Sequence, residues 1–373
     1  MKVFILTTEL NYKNGLGRYS LDMVEALRNR GIDLSIAVGH DGVNDTDIKP
    51  IDILPEQLNY KVSYFAAIWY AWRLRKYAKE CDFIHSFAEQ YSYIAYWLAK
   101  LTDKKFFVTA HGTWAVLPFS LSFHKRYFHR KSFEKAAKII CVSRYTERRL
   151  VEFGLNNLHV INNGINTKKF IRPSITPWQE RQNLIVSVGN LKRRKGYHIS
   201  IPAFAKTRAR FKDLRYYIVG DQSDRAYFDQ LKRLCFELGV RESVDFVQHI
   251  SDDELIAIYK KARLLVLSSI SEKSHFEGFG LVYLEANASG LPVIGSLESG
   301  AEDAIRDGRT GFLVSQNDSE GIAEAIIKIL GNKNLAETMS SEAIKWASEH
   351  DMDKVIMKYK GIYASSVINK PNK

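Results

Sequence analysis

The sequence predicts an α/β protein of two successive domains, each an open parallel sheet flanked by helices. Three observations carry this reading. The chain has 373 residues, more than one hydrophobic core usually covers. Apolar runs of buried-strand type alternate with longer segments of helical periodicity, the signature of parallel βαβ units. A polar, aperiodic stretch at 166–180, carrying Pro173 and Pro177, separates two series of such units and reads as a linker.

The first series of strands is expected at 2–8, 33–38, 83–86, 105–110, 138–142 and 158–161. The second is expected at 183–188, 215–219, 244–247, 264–267, 292–295 and 311–313. This gives a first domain over 1–170 and a second over 178–350. The tail after Asp351 returns to a helical pattern, and this closing helix, about 352–373, is expected to pack back on the first domain. No repeat of solenoid period and no low-complexity segment interrupts the pattern.

Composition narrows the class. Hydrophobic residues at 46% and charged residues at 26% fit a soluble globular protein, and no uncharged apolar run is long enough to span a bilayer. The start, Met1 to Glu9, suits a strand better than a signal peptide, so a cytoplasmic location is expected. Cys81, Cys141 and Cys235 lie far apart, without metal-ligand spacing or a disulfide framework, and read as reduced structural thiols. The net charge of +12 favours anionic partners such as nucleotides, phospholipid surfaces or nucleic acid, without choosing among them.

The most informative segment is Ser274-His-Phe-Glu277-Gly278-Phe279-Gly280-Leu-Val-Tyr-Leu-Glu285-Ala286. It follows a strand and runs into a helix-forming stretch. Glycines at 278 and 280 permit close backbone approach, and amides opening a helix cradle a phosphate. Glu277 falls before that helix and Glu285 about two turns inside it. A carboxylate beside a diphosphate is repelled, so these acids are expected to address hydroxyls, one on a sugar and one on a ribose. A glycine pair between two solvated glutamates is the plainer alternative.

Glu277 and Glu285, with Gly278-Phe279-Gly280 between them, resemble the E-x7-E motif of retaining glycosyltransferases of family 4. Val188-Gly189-Asn190-Leu191-Lys192-Arg193-Arg194-Lys195-Gly196 is similar to that family's strand-to-loop basic element, and Ile218-Val219-Gly220-Asp221 to its next strand end. The stretch from Val244 to Val247, followed by Asp253-Glu254-Leu255, Tyr259 and Ala262, resembles its base-binding region. Gly290 to Ile294, Ser299-Gly300, Asp307-Gly308 and Gly311 to Val314 complete the run, and Ile161 to Asn166 with Phe170 resembles the segment before its linker. The resemblance is strong from about 139 to 314 and weaker elsewhere. It implies the GT-B fold, two Rossmann-like domains facing a cleft, with the donor held mainly by the C-terminal domain. It also implies a retaining transfer with no divalent metal and no other cofactor, the nucleotide-sugar being a substrate. Two positions depart from the family: Asn190 stands where arginine is usual, and Gln222 replaces a frequent glycine after Asp221. Arg193 or Arg194 would then supply the missing guanidinium.

The chemistry has its own residue-level rationale. Breaking the bond between an anomeric carbon and a diphosphate oxygen builds charge on the leaving group, and preorganised cations and amides stabilise it. Lys195, Arg193 and Arg194 are candidates for the cations, and the amides near Gly278 to Gly280 for the dipoles. None of the segments that resemble the family carries a DxD-like metal pair, which agrees with cations in the metal's place. A solvated basic loop is the alternative for the run from Lys192 to Lys195.

In the first half, Asn14-Gly15-Leu16-Gly17-Arg18 follows the first strand and precedes a helical pattern. The dinucleotide fingerprint fails at Ser20. The segment resembles the family's N-terminal glycine loop, which implies donor-phosphate contacts at Gly15 and Gly17; a tight turn without function is the other reading. Ala110-His111-Gly112-Thr113 ends a strand, where α/β proteins bind ligands, and His111 matches the family's cleft histidine that meets the transferred sugar. Ser143 and Arg144 close a similar strand, with acceptor contact and helix capping by Ser143 both open. Two stretches, 60–77 and 118–131, interleave aromatic and basic residues. Each reads either as an amphipathic helix at a lipid interface or as a core helix.

The expected activity is therefore transfer of a hexose-type sugar from a UDP- or GDP-sugar to a hydroxyl acceptor, a glycan or a membrane or lipid-linked molecule. An anionic membrane surface, on the cytoplasmic inner face, is an expected partner; nucleic acid is not. Two rival readings are a GT-B nucleotide-sugar epimerase, which needs no acceptor, and a basic nucleic-acid-binding protein with stacking aromatics.

Overall fold

A computed structural model of the chain describes residues 1–11, 15–39, 49–55, 64–171 and 174–368. Asn14, Pro173 and the first residues of the 60–77 stretch lie outside the described residues. The chain divides into two compact units, Met1–Gly164 with Met352–Lys373, and Ile165–Asp351.

Among the described residues the first unit holds seven strands: β1 (Lys2–Leu6), β2 (Asp33–Gly39), β3 (Ile51–Leu54), β4 (Phe83–Ser86), β5 (Lys105–Ala110), β6 (Lys138–Cys141) and β7 (Leu158–Val160). Their order is β3-β2-β1-β4-β5-β6-β7. The second unit holds β8 (Leu184–Val188), β9 (Arg215–Val219), β10 (Val244–Val247), β11 (Leu264–Val266), β12 (Val293–Ser296) and β13 (Gly311–Val314), in the order β10-β9-β8-β11-β12-β13. Each unit is thus a doubly wound parallel sheet of Rossmann type, with a topological switch point between β1 and β4 in one and between β8 and β11 in the other.

Burial on both faces explains why the strands are legible as apolar runs. Val3, Phe4, Ile5 and Leu6 of β1 are fully buried, as are Leu264 and Leu265 of β11. Strand β3 is absent from the expected set. It is a four-residue edge strand between Pro50 and Pro55, paired on one side only, with a register irregularity at Val38/Gly39. An edge strand needs no continuous apolar run, so it leaves little trace.

Helix ends follow local chemistry. Ser251 and Glu254 form a reciprocal capping box, and Asp224, Asp318 and Asn332 each accept a backbone N–H at a helix start. Each such cap is worth about 1 kcal/mol.

The division between the units falls at Gly164/Ile165, ahead of the 166–180 stretch. That stretch carries the helix Thr167–Ile171 and the turn Trp178–Glu180. Phe170 packs near Tyr259 at 6.3 Å between ring centres, and the Thr167 N–H bonds to Asp351 at 3.3 Å, so both belong with the second sheet. Ile165 lies beside Asp351 as a parallel bridge, placing the segments that enter and leave this unit side by side.

The helix Met352–Ile368 belongs to the first unit. Tyr359 and Tyr363 are buried there. Tyr359 Oη lies 3.0 Å from Tyr19 Oη, and Tyr363 Oη lies 2.6 Å from His85 Nδ1. Thr109 Oγ1 joins the two, at 3.0 Å from His85 Nε2 and 3.3 Å from Tyr19 Oη. Burying five polar side chains is tolerable because each finds a partner in this network.

Candidate active site

In the second unit the chain leaves β8 through Gly189 and enters a basic turn, Arg193–Lys195, closed by Gly196. Gly196 has φ 71°, and a Cβ there would stand 1.8 Å from the Ser268 carbonyl oxygen. Only glycine permits this approach. It lets the basic turn dock on the segment after β11, where Ser268 Oγ donates to the Gly196 carbonyl at 2.7 Å and the Ile270 N–H donates to the Arg194 carbonyl at 2.8 Å. The basic turn therefore sits at the carboxyl edge of the sheet, at the switch point.

Glu277 meets the same edge from the other side. Its Oε2 accepts from Lys195 Nζ at 2.5 Å and from Ser269 Oγ at 3.2 Å, with Arg194 Nη1 at 3.5 Å. The Glu277 and Lys195 side chains are only 11% and 12% exposed. Burial alone would push the Glu277 carboxyl up; the charges of Lys195 and Arg194, with the hydrogen bonds from Lys195 and Ser269, outweigh it and hold the group at about 2. Glu277 is thus ionised across the physiological range, and it fixes both cations in place.

Of the two candidate guanidinium groups, Arg194 joins this cluster, while Arg193 is 59% exposed and lies 4.0 Å from Glu272. Asn190 is exposed at the strand end. The loop Gly278 to Gly280 is supported from below by Gly300, whose N–H donates to the Glu277 carbonyl at 2.8 Å. A Cβ on Gly300 would stand 2.0 Å from the Gly278 carbonyl oxygen. Phe279 is buried. The helix Leu281–Ala288 starts after Gly280, at φ 84°, so Glu285 lies just over one turn inside it. This corrects the two-turn expectation, because the glycine segment delays the helix start. Glu285 is buried and accepts from Tyr259 Oη at 3.0 Å.

The sequence pattern gives Ser269 no role and marks Tyr259 only as part of the stretch that resembles the base-binding region. The signal for Ser269 was its place after β11, where a polar residue closing an apolar strand faces the switch point.

The first unit presents a different edge. The helix Gly15–Asn29 already begins at Gly15, so Gly15 and Gly17 form its first turn and are not a preceding loop. A Cβ on Gly17 would stand 2.6 Å from the Asn11 carbonyl oxygen, which explains the glycine by close backbone approach. His111 follows β5. Its Nε2 lies 2.8 Å from the Phe87 carbonyl oxygen. A carbonyl only accepts, so Nε2 carries the proton and Nδ1 is left as an acceptor. Burial pushes the imidazole down to about 4, against the Phe87 carbonyl. Tyr19 packs edge-on against the His111 ring at 4.5 Å. Ser143 is a helix cap: it is fully buried and accepts the Thr146 N–H at 3.1 Å. Arg144 is exposed at the first position of that helix, Arg144–Val151.

The aromatic stretches are divided between core and surface: Phe119 of the second is buried, stacked on Phe153 at 4.2 Å, while other rings of both are exposed. The helix Tyr64–Ala78 buries Ala67, Ala71, Leu74 and Ala78 and exposes Phe65, Trp69 and Trp72, with Arg73 and Arg75 over the two tryptophans. The helix Phe123–Lys135 exposes Phe123 and Tyr127 beside Arg126 and Lys131. Tyr64 stacks on Phe128 at 3.7 Å and joins the two helices. Among the described residues no helix is long and apolar enough to cross a membrane.

Comparison with known proteins follows the same division. A family model described as Glycosyltransferase Family 4 matches residues 13–169, and one described as Glycosyl transferases group 1 matches residues 168–346. The chain is 30% identical over 261 residues to a GDP-mannose-dependent alpha-(1-6)-phosphatidylinositol monomannoside mannosyltransferase of Mycolicibacterium smegmatis, covering 66% of each chain. It is 27% identical over 319 residues to a D-inositol 3-phosphate glycosyltransferase of Corynebacterium urealyticum, covering 78% of this chain and 73% of that one. The crystal structure of Anabaena HepE in complex with UDP and glucose superposes with a TM-score of 0.80 at 19% identity, covering 98% of this chain and 100% of that one. Neither the epimerase nor the nucleic-acid-binding reading is favoured by these relatives. The sheet orders, the Glu277 cluster at the switch point and the two matched models together make this chain a glycosyltransferase of family 4, with the GT-B fold.

Proposed function

We propose that the enzyme transfers a hexose-type sugar from a UDP- or GDP-sugar to a hydroxyl acceptor, with retention at the anomeric carbon. One observation carries the reading: Lys195 and Arg194 are gathered on Glu277 at the carboxyl edge between β8 and β11. In transfer, the anomeric C–O bond breaks and its electron pair leaves with the diphosphate. Lys195 and Arg194 neutralise that growing charge, each worth on the order of 4 kcal/mol if within about 4 Å of it at an effective dielectric near 20. Their positive charge serves where other enzymes place a divalent metal, and the reaction runs without added metal or cofactor. Glu277, an ion beside the cations, is repelled by phosphate and accepts from a sugar hydroxyl; Glu285 addresses the ribose. His111, neutral and with Nδ1 as its acceptor, receives a second sugar hydroxyl. Backbone N–H groups at Gly15 and Gly17, and at Gly278 to Gly280, contribute dipoles to the phosphates.

The names of the relatives support both nucleotides: the mycobacterial protein is GDP-mannose-dependent, and HepE is seen with UDP. The exposed aromatic and basic faces of the helices Tyr64–Ala78 and Phe123–Lys135 support a lipid-linked acceptor met at an anionic membrane, on its cytoplasmic side. The test is incubation with UDP-, GDP- and ADP-sugars in EDTA, with and without hydroxyl acceptors, followed by proton NMR of the anomeric centre. Nucleotide released only with acceptor present, and a product of unchanged anomeric configuration, is the expected result. Interconversion of the nucleotide-sugar without acceptor, or an inverted product, overturns the reading.

A further inference from the structure

Glu89 is fully buried in the first unit, in the turn Glu89–Tyr91 just after β4. Nothing in the donor chemistry uses it. Its Oε1 accepts the backbone N–H of His111 at 3.1 Å, and the backbone of Ala115 also bonds to it. Those N–H groups open the short helix Thr113–Val116, whose N-cap position is Gly112, at φ 125° and without any capping side chain. Glu89 does from across the fold what a capping side chain does locally.

The same turn grips His111 a second time. Phe87, two residues before Glu89, offers the carbonyl that accepts the ring Nε2–H at 2.8 Å. The segment from Phe87 to Glu89 therefore holds both the main chain and the ring of His111. Phe87 is itself pinned, its N–H donating to the Leu6 carbonyl of β1 at 2.8 Å. Tyr19 closes the third side of the ring. A carboxyl in such a place is costly, and burial pushes it up to about 7 against the backbone hydrogen bonds it accepts.

We propose that Glu89 is a positioning residue for His111: it fixes the loop that aims Nδ1 at the transferred sugar, and its contribution to turnover runs entirely through that ring. The proposal rests on the reading of His111 as a sugar-facing group. It predicts that Glu89→Leu lowers kcat roughly tenfold while donor KM changes by less than about twofold, the scale of one buried N–H left without its acceptor. Glu89→Gln retains an amide oxygen for the His111 N–H and recovers most of the loss.

The test is a double-mutant cycle in the full-length enzyme, with Glu89→Leu and Glu89→Gln each combined with His111→Ala. Circular dichroism at the assay temperature gives the native fraction, so that rates are compared per folded molecule. In the His111→Ala background neither Glu89 substitution is expected to lower kcat further by more than about twofold. Equal fractional losses in the presence and absence of the imidazole overturn the proposal, as does a rise in donor KM with kcat unchanged. A His111→Ala variant with undiminished kcat instead sinks the role of His111 itself. If Glu89→Leu does not fold, Glu89→Asp, which withdraws the carboxyl from the His111 N–H, takes its place in the cycle, and equal fractional losses there with and without the imidazole are contrary to the proposal.

Discussion

At the β8/β11 edge of the second unit, Lys195, Arg194 and Glu277 stand together as ions. At the β4/β5 edge of the first unit, His85, His111 and Glu89 are held toward their neutral forms by burial. The two sheets share one winding order, so topology does not account for the contrast. What differs is whether an opposite charge accompanies each buried group. Where Glu277 has two cations, its carboxyl is driven down; where Glu89 has only backbone N–H donors, burial wins. One edge can thus meet a diphosphate, and the other offers uncharged hydrogen-bonding groups suited to sugar hydroxyls.

The largest effect is expected at the charged edge. Lys195→Ala should lower kcat by about 10²–10³, the range for loss of one preorganised group facing developing charge. Because it also strips Glu277 of its nearest partner, it should destabilise the protein by about 3 kcal/mol. Steady-state kinetics and urea unfolding check the two halves separately.

Acid should separate the units next. Glu277 is depressed from an ordinary 4.5 to about 2, so its stabilisation is complete above about 4.5 and is lost as pH falls toward 2. That depression corresponds to about 3 kcal/mol. In the first unit His85 and His129 are lowered from 6.5 to about 3 and His111 to about 4, each chiefly by burial. The unfolded chain binds those protons first, so this stability is present above about 6.5 and lost as pH falls through that window. Glu89, raised from 4.5 to about 7, works the other way, since its cost grows as pH rises from 4.5 to 7. Three histidines outweigh one acid. Hydrogen exchange corrected for intrinsic pH dependence should therefore show the first unit loosening between pH 6.5 and 4.5, with the second yielding only below that; the reverse order would contradict the contrast.

Smaller effects distinguish the two motif acids. Glu285→Ala should weaken free nucleotide and nucleotide-sugar alike, by about 1.5–3 kcal/mol, whereas Glu277→Ala should spare free nucleotide and impair productive use of the donor. An identical calorimetric pattern for both would end that division of labour. Weakest is the lipid term, about 1 kcal/mol for each cation near an anionic surface. Co-sedimentation with anionic vesicles at low salt should fall when Trp69, Trp72, Arg73 and Arg75 are replaced.

Legibility followed sequence distance. Buried strands announced themselves as local apolar runs, and Ser251 with Glu254 closes a cap within one turn. The edge strand β3 did not, since one free side demands no apolar face. Glu277 and Lys195 were each marked by their motifs, but their ion pair spans 82 residues and only folding brings it together. The grip of Glu89 on His111 crosses 22 residues, and the Tyr19–Tyr359 contact 340. The glycine at 17 carried a signal whose structural cause, the Asn11 carbonyl, lies six residues upstream and has no sequence pattern.

The central claim is that the charged edge of the second unit, more than the His111 edge of the first, supplies the affinity for the nucleotide diphosphate. Calorimetric titration of UDP and GDP into the full-length wild type, Lys195→Ala and His111→Ala tests it directly. The account predicts that whichever nucleotide binds will lose about tenfold or more in affinity with Lys195→Ala and change by less than about twofold with His111→Ala. Equal losses in the two variants, or an undiminished affinity in Lys195→Ala, would contradict it.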